Sequence, residues 1–452
     1  MLSVQCLVSL MRLLGLLLLL ASVGAAASPA PGSVTLDRAT LGRLDALRPG
    51  DTLVLPAFPA GPGVLASVRL ERVDIYAPGA HIVEVGPGGE REVPRSRRIE
   101  LIGSGIDSDM RVSLSFDPGF GRVRGSGSDA SGAYAIIADQ DGSGLHLHAI
   151  AADQALPRGV VPHFDSRHDS VPSGQPMPSE LQLHLARLAE PLTGEPRVAV
   201  LAIDTDTEFM AERFANGSAA ATDWIADLFG VMNVMYERDL DVRLSQGTTY
   251  LRTGSDPYSA SDTPADMTDL NEFGSYWQAH YANVPRSFAM LLSGKSSSAN
   301  YASGIAWINS YCHTQSNGGS YSVNQVFMNS AIPVDLSALI TGHELGHNLG
   351  AWHTHCTDAS TGGAPAATNT VDQCFNGEAS QGCYSGPTSC PTSGPGHPLG
   401  TIMSYCNLNS CGGQNVMQFH PTEITKLSAL ISANTPSCLT EGGDALFANG
   451  FE

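Results

Sequence analysis

This sequence has few basic residues in its C-terminal half and no long apolar run after the N-terminus, and its cysteines are confined to one region. The first two absences each exclude a class of protein. After the N-terminus, no apolar run reaches the roughly 18 residues that a membrane-spanning helix needs. Lysine and arginine are absent between Lys295 and Lys426, and residues 196–452 hold 8 basic against 23 acidic residues. Nucleic-acid binding depends on basic side chains that neutralise phosphates. We therefore expect neither a membrane span nor a nucleic-acid partner.

Cysteine is absent from most of the chain. Apart from Cys6, the cysteines lie between Cys312 and Cys438, where there are eight. An even number in an exported chain predicts up to four disulfide bonds. The alternative is a zinc cluster of cysteines, which needs pairs closer in sequence, such as C-x-x-C. The pairing stays open, because eight cysteines allow about 105 connectivities.

The N-terminus has the layout of a secretory signal. An apolar run at Leu13–Leu20 is followed by small residues that end in Ala25-Ala26-Ala27, an A-x-A pattern. Arg12 is the one positive charge ahead of the run, so Met11 makes a more natural start than Met1. We predict a signal peptide over residues 1–27. The alternative is a buried N-terminal helix.

Composition divides the rest of the chain into four segments. Residues 28–155 show short apolar alternations separated by Gly- and Pro-rich turns, which predicts a mostly β domain. Residues 156–195 begin with a stretch rich in Pro, Ser and His without periodicity, and we interpret them as a linker with a processing site. Residues 196–438 contain the motifs described below, and residues 439–452 are interpreted as a flexible tail.

The third segment predicts a mixed sheet with two main helices, and hence an α+β fold. Apolar residues at helical spacing mark the helices, and continuous apolar runs mark the strands. The predicted helices are Ala219–Tyr236 and 335–349, the second with Asp335 as N-cap. The predicted strands are Val198–Ile203, Leu240–Leu244, Phe288–Leu292, Gly304–Ile308 and Val323–Met328.

The stretch HELGHNLGAWH, from His343 to His353, carries the chemistry. His343 and His347 are four residues apart, so both project from one helical face and can bind one metal ion. Glu344 is placed to act on a water molecule bound to that ion. Gly350 can adopt the left-handed conformation that ends the helix, which lets His353 return as a third ligand.

Three histidine ligands predict a catalytic zinc site. They leave one position open, which is a feature of catalytic rather than structural zinc. Zinc lowers the pKa of the water in that position, and Glu344 can take its proton and deliver it to the leaving amine. The alternative is a set of ordinary polar residues on an amphipathic helix. The full pattern arises by chance in roughly one such chain in twenty thousand.

The pattern H-E-x-x-H-x-x-G-x-x-H resembles that of the metzincin metalloproteases. The resemblance implies a mixed twisted sheet with an edge strand over the cleft, a zinc-site helix and a methionine turn below the metal. Thr401-Ile402-Met403-Ser404-Tyr405 resembles that turn, with Met403 as its methionine. Tyr405 matches a position where astacin-like and serralysin-like members carry a tyrosine near the zinc, which implies a catalytic role. A buried structural tyrosine is the alternative.

Two further features follow from the resemblance. Gly304-Ile305-Ala306 resembles the edge strand that binds substrate, with a plain interior strand as the alternative. The length, the eight cysteines and the methionine turn look most like bacterial relatives of the adamalysin (reprolysin) group. That group generally has Asp after the third histidine, whereas Thr354 stands here.

Residues 28–155 would then be a propeptide that inhibits its own enzyme. A cysteine block of the zinc is excluded, because residues 28–195 contain no cysteine. Four residues of the linker are weaker candidates to reach the metal, with solvated linker residues as the alternative: His163, Asp165, His168 and Asp169.

The sequence therefore predicts a secreted, bacterial zinc endopeptidase that is made as a precursor and cleaves proteins or peptides. Calcium is a second candidate ion because of the acidity, although no EF-hand-like spacing is present. The first alternative is an inactive, zinc-stabilised binding or adhesion module, which would have no need of Glu344. The second is an exported zinc hydrolase that does not act on peptides.

Overall fold

A computed structural model describes most of the chain between residues 32 and 441. The described residues are 32–108, 110–117, 122–129, 132–141, 144–151, 156, 160, 163–164, 196–259, 263–296, 298–394, 396–409, 411 and 415–441. The predicted signal peptide, most of the predicted linker and most of the predicted tail lie outside these residues.

The N-terminal part is mostly β, as the alternating apolar pattern predicts. Its elements are β1 (Val34–Leu36), α1 (Arg38–Ala46), β2 (Thr52–Pro59), β3 (Leu65–Val73), β4 (Ile82–Gly86), β5 (Gly89–Val93), β6 (Ile99–Gly105), β7 (Arg111–Asp117), β8 (Arg122–Asp129), β9 (Gly132–Asp141) and β10 (Gly144–Ala151). Eight of these strands form one antiparallel sheet in the order β1-β10-β9-β8-β7-β6-β3-β2. Residues such as Phe58, Leu114 and Leu147 fill its core.

The C-terminal part combines helices with short strands. Its elements are β12 (Arg197–Thr205), α2 (Ser218–Leu240), β13 (Val242–Arg252), α3 (Met267–His280), β14 (Phe288–Ser293), β15 (Tyr301–Ala302), β16 (Gly304–Ala306), β17 (Tyr321–Gln325), α4 (Val334–Asn348) and α5 (Pro421–Ala433). A two-residue strand, β11 (His163–Phe164), pairs in parallel with β15. The mixed α/β content agrees with the predicted fold class.

Seven strands form the second sheet, in the order β16-β17-β14-β12-β13-β4-β5. The strands from β17 to β4 run parallel, and the two end strands, β16 and β5, are antiparallel to their neighbours. Helices cover both faces. Leu345 of α4 and Leu427 of α5 lie in one apolar cluster with Leu201 of β12, whereas Trp277 of α3 lies in a second cluster with Leu291 of β14.

The hairpin β4–β5 belongs to the second sheet although it lies within residues 28–155 in sequence. Strand β4 pairs in parallel with β13, from Ile82 opposite Thr249 to Val85 opposite Arg252. The sequence did not predict this pairing, because no periodic pattern shows which sheet a strand joins.

The predicted helices of the C-terminal part are present, with differences at their ends. Helix α4 begins at Val334 with Pro333 as N-cap, so Asp335 lies in its first turn and is not the cap. The prediction of two main helices was incomplete, because α3 and α5 are also present. Helix α3 begins with a capping box formed by Asp266 and Asp269. Aspartate stands at the positions where this motif usually has Ser or Thr and Glu or Gln. Strand β17 begins two residues earlier than predicted.

All eight cysteines between Cys312 and Cys438 form disulfide bonds, which confirms the prediction of four. The pairs are Cys312–Cys438, Cys356–Cys383, Cys374–Cys406 and Cys390–Cys411. Among the described residues, no helix is both long and apolar enough to cross a membrane.

Candidate metal centre

Helix α4 carries His343 and His347 one turn apart. Both side chains are buried, and their rings lie with centroids 4.8 Å apart. The helix is buried along most of its length because it packs against α2 and the underside of β16 and β17. Such burial of two imidazoles costs free energy unless their nitrogen atoms have partners.

The Nδ1 atoms of these two histidines bind main-chain carbonyl groups. His343 Nδ1 lies 2.7 Å from the oxygen of Ile402, and His347 Nδ1 lies 2.9 Å from the oxygen of Ala351. A carbonyl oxygen only accepts, so the proton of each ring is on Nδ1. Each Nε2 atom therefore presents a lone pair.

His353 reaches the same point from a loop. Gly350, with φ of +108°, turns the chain after α4, and an added Cβ there would lie 2.5 Å from Leu430 Cδ1. The turn therefore requires glycine, both because of its positive φ and because a side chain would collide with Leu430. His353 Nδ1 lies 2.8 Å from Glu378 Oε2, so this ring also carries its proton on Nδ1.

The three Nε2 atoms converge. His347 Nε2 lies 3.1 Å from Nε2 of His343 and 3.1 Å from Nε2 of His353. Because all three protons are on Nδ1, these contacts bring lone pairs together, which is favourable only around a cation. Zinc–nitrogen bonds of about 2.0–2.1 Å put tetrahedral ligand atoms about 3.3 Å apart, so the donor set fits zinc.

The electrostatic surroundings of His347 and His353 favour neutral rings, the form that binds metal ions. Burial, together with the neighbouring rings of His353 and His343, lowers the pKa of His347 well below its ordinary value. Burial also lowers the pKa of His353, against the opposing effect of Glu378.

Glu344 lies between the histidines and strand β16. The residue is buried, and a Cβ added to Gly304 would lie 2.5 Å from Glu344 Oε1. Any side chain at position 304 would therefore collide with the carboxylate. The structure brings the predicted base and the first residue of the predicted substrate edge into direct contact.

Met403 lies below α4. It is fully buried, and a Cβ added to Gly346 would lie 2.7 Å from its sulfur atom. The turn around it is hydrogen-bonded to helix α4 and to the loop after His353. The main-chain oxygen of Ile402 accepts from His343 Nδ1, and the main-chain oxygen of Met403 accepts from the amide of Thr354. Gly346 thus permits the close approach of helix and turn.

Tyr405 lies beside the third histidine. Its hydroxyl is 2.8 Å from His353 Nε2, and its ring centroid is 4.3 Å from that of His353. The residue is fully buried. The hydroxyl of Tyr405 therefore lies beside the three converging histidines.

Glu378 is a member of the centre that the sequence did not predict. Its Oε2 atom accepts from His353 Nδ1 and from His355 Nε2, both at 2.8 Å. Burial alone would raise the pKa of this carboxyl group, but the hydrogen bonds and electrostatic interactions with His353 and His355 outweigh burial and lower it. No motif marks Glu378. The available signal is an acidic residue between two cysteines in the segment after the histidine pattern.

Asp372 is a second unpredicted member. Its Oδ2 atom accepts hydrogen bonds from the hydroxyls of Thr354 and Ser404. These two hydroxyls also lie 2.9 Å apart. Asp372 therefore ties the residue after His353 to the residue after Met403.

Two disulfide bonds hold the segment that carries these carboxylates. Cys374–Cys406 joins it to the turn of Met403, and Cys356–Cys383 joins it to the loop after His353.

Strand β16, the predicted substrate edge, lies at one end of the seven-stranded sheet, antiparallel to β17. Of the four linker candidates for the metal, the described residues include only the backbone of His163, in β11.

A comparison with protein-family models agrees with this geometry. Residues 195–419 match the model Reprolysin_5, which represents metallo-peptidase family M12. The matched segment contains the three converging histidines, Glu344 and Met403. The match confirms the resemblance to metzincin-type zinc metalloproteases and to the reprolysin group within them. Through residues 195–419, this chain belongs to metallo-peptidase family M12.

Proposed function

We propose that this protein is a secreted zinc endopeptidase, made as a precursor, in which Glu344 activates the attacking water. The observation that carries the proposal is the convergence of three Nε2 atoms beside a buried carboxylate, with His347 Nε2 3.1 Å from each of the other two. Family membership supports zinc-dependent peptide hydrolysis and does not favour an inactive binding module.

Each histidine holds its ligand atom in place through its own partner. The carbonyls of Ile402 and Ala351 orient the two helix ligands, and Glu378 orients His353. Such partners fix the tautomer and increase the basicity of the metal-binding nitrogen. Zinc, when bound, acidifies water and polarises the scissile carbonyl group.

Glu344 performs the proton transfer in this proposal. Its carboxylate takes a proton from the attacking water, and then passes this proton to the nitrogen of the leaving amine. One group can do both because the two steps occur on the same face of the peptide. Tyr405, with its hydroxyl 2.8 Å from His353 Nε2, is placed to donate to the oxyanion that forms on the carbonyl oxygen.

Met403 and its turn are proposed to match the methionine turn of metzincins. The close approach of its sulfur to Gly346 supports a packing role below the ligands. Hydrogen bonds from His343 to the oxygen of Ile402 and from the amide of Thr354 to the oxygen of Met403 connect the turn to helix α4 and to the loop after His353.

Strand β16 is proposed to bind the substrate by strand addition. No strand in the described part of the chain pairs with the outer edge of β16, and an extended peptide added there would run directly past Glu344. Gly304 supports this role, because its missing side chain leaves room for the carboxylate. A protein or peptide substrate follows from this arrangement.

The precursor form is supported by the few residues of the predicted linker that the structure describes. Strand β11 pairs with β15, immediately before the proposed substrate edge. Leu156 and Val160 pack against a cluster that includes Ala302 and Leu336. We therefore propose that this part of the linker obstructs the cleft, and that processing within residues 156–195 removes the obstruction.

The remaining assignments are kept as proposals. They are a signal peptide over 1–27, a β-rich propeptide domain over 28–155, a catalytic domain over 196–438 and a tail over 439–452. Four disulfide bonds support an extracellular location. Calcium stays a prediction. Each potential metal cluster found among the described residues includes histidine or cysteine, whereas calcium prefers oxygen ligands.

The test compares the processed protein with its Glu344→Gln variant. We expect both to contain about one zinc per chain, and the variant to lose at least about 1,000-fold in cleavage of a mixed protein substrate. Zinc is measured by mass spectrometry of the purified protein. If processed, zinc-loaded protein cleaves nothing in a broad peptide library, the enzyme assignment is wrong and a zinc-stabilised binding module takes its place.

A further inference from the structure

The boundary between residues 32–151 and 196–441 is crossed by a continuous β-sheet. Strand β13 hydrogen-bonds to β12 on one side and to β4 on the other. The pairing extends upstream, where the amide of Gln246 donates to the oxygen of Ile75 at 2.6 Å and the amide of Ala77 donates to Gln246 at 2.9 Å. Without β4, β13 would be an open edge strand rich in buried side chains, which promotes aggregation.

The apolar core is also shared across this boundary. Five residues of the N-terminal part lie in the same cluster as β12, β13 and α2: Val73, Ile75, Ile82, Val93 and Ile102. Removing the N-terminal part would therefore expose apolar surface on the catalytic part itself. The cost of such exposure scales with the area, at about 25 cal/mol per Å².

Helix α2 also depends on the N-terminal sheet for the burial of its side chains. Nearly every residue from Ala221 to Tyr236 is buried, because the helix lies between the catalytic sheet and strands β6–β8 of the N-terminal sheet. A helix that is buried on all sides needs a covering element on each side. At Gly230 an added Cβ would lie 2.7 Å from Ser113 Oγ and 3.0 Å from Glu100 Oε2, so a glycine permits the close approach.

Charged groups on the two parts are matched at this contact. Arg98 Nη1 lies 2.6 Å from both carboxylate oxygens of Asp227, and Ser96 Oγ donates to Asp223 at 2.5 Å. Asp227 and Glu100 are both buried, and burial raises the pKa of Glu100 to about 8. Separation would leave the buried carboxylate of Asp227 without Arg98, the partner that makes its burial tolerable.

The segment that follows makes a much smaller contact. Leu156 and Val160 are only partly buried, and β11 contributes two residues of pairing. The N-terminal region thus contains two parts with different attachments: a large interlocked sheet over 32–151, and a lightly held segment near the cleft.

We propose that residues 32–151 are a permanent subunit of the working peptidase, and that a cut within 165–195 leaves two pieces joined in a non-covalent complex. The partner surface is the free side of β13 together with the outer face of α2, and its occupant is the chain's own N-terminal sheet. The inference builds on the proposed processing, but it concerns association and not catalysis. Processing would free the segment near the cleft while the sheet stays bound.

The test uses the full chain with a site-specific protease sequence inserted after Gly174. The chain carries Glu344→Ala, so that self-digestion does not interfere and the result is independent of enzymatic activity. After complete cleavage, size-exclusion chromatography is run at two concentrations about 100-fold apart. We expect both fragments to elute together in equal amounts at both concentrations. Elution of the C-terminal fragment without the N-terminal one, folded or aggregated, overturns the proposal.

Two variants locate the contact. Arg98→Ala leaves Asp227 without its partner, and Gly230→Val drives a side chain into Ser113 and Glu100. Their matched controls are Arg43→Ala, on the exposed helix α1, and Gly42→Val, where an added Cβ meets nothing within 4 Å.

We expect the cut Arg98 and Gly230 variants to separate at least about 10-fold more readily on dilution than their controls. Equal behaviour of variants and controls would place the contact elsewhere and overturn the assigned surface. If either variant fails to fold, the unsubstituted cut protein still decides the proposal.

Discussion

The two halves of the metal centre are built in different ways. His343 and His347 come from successive turns of α4, and main-chain carbonyls orient both rings. His353 comes from a loop, and the carboxylate of Glu378 orients it. The helix provides the first pair through its period alone, whereas the loop ligand depends on a side chain 25 residues further along the chain. Loop ligands therefore need support that helix ligands receive from the backbone.

The disulfide bonds follow the same division. Cys356–Cys383 and Cys374–Cys406 both hold the segment that carries Glu378 and Asp372. Cys312–Cys438 joins the loop between β16 and β17 to the segment that follows α5. The loop half of the centre is thus stabilised by covalent bonds, and the helix half by packing.

The largest effect is expected from removing a helix ligand. His347→Ala should abolish stoichiometric zinc and lower peptide cleavage at least about 1,000-fold, because two histidines bind zinc too weakly. Zinc content and cleavage rate are measured on the same preparation. The control is His280→Ala, an exposed histidine at the end of α3. Full zinc content in His347→Ala would contradict the ligand assignment.

The next effect tests the covalent support of the loop half. Joint replacement of Cys374 and Cys406 by serine should reduce the free energy of unfolding by about 2–4 kcal/mol and also weaken zinc binding. The matched control replaces Cys312 and Cys438, which close a longer loop, so that the stability loss is at least as large. We expect this control to keep its zinc affinity. Equal zinc loss in both variants would show that the two halves are not separately supported.

A smaller effect is expected from the carboxylate of the loop half. Glu378→Gln keeps the shape and removes the charge behind His353, so zinc affinity should fall about 10- to 100-fold. Competition with a chelator of known affinity measures this change. The control is Glu212→Gln, on an exposed side chain. An unchanged affinity would mean that His353 is oriented by the loop backbone alone.

The smallest effect is expected at Tyr405. Tyr405→Phe removes the hydroxyl near His353 Nε2 and keeps the ring that packs against it. We expect kcat to fall about 10-fold, with KM and zinc affinity unchanged, because the hydroxyl acts on the oxyanion and not on the metal. A loss of zinc with no separate change in kcat would instead assign Tyr405 to the support of His353.

Local patterns in the sequence were sufficient for the helix half of the site. The spacing of His343 and His347 and the turn at Gly350 depend only on helix geometry and on glycine conformation, so they can be read from neighbouring residues. The long helices α2 and α4 are also visible as periodic apolar runs. Strand ends and the helices α3 and α5 were less visible, because their signals are short or use unusual capping residues.

Four features of this protein were determined by the sequence itself: the histidine pattern of the candidate metal centre, the number of disulfide bonds, the mostly β character of the N-terminal part and the mixed content of the rest. Three were decided only by the tertiary structure: the support of His353 by Glu378, the disulfide pairing, and the joining of β4 to β13. The physical reason is the same in each case. Contacts between residues far apart in sequence, whether hydrogen bonds or disulfide bonds, leave no periodic pattern, so only the folded chain shows which partners meet.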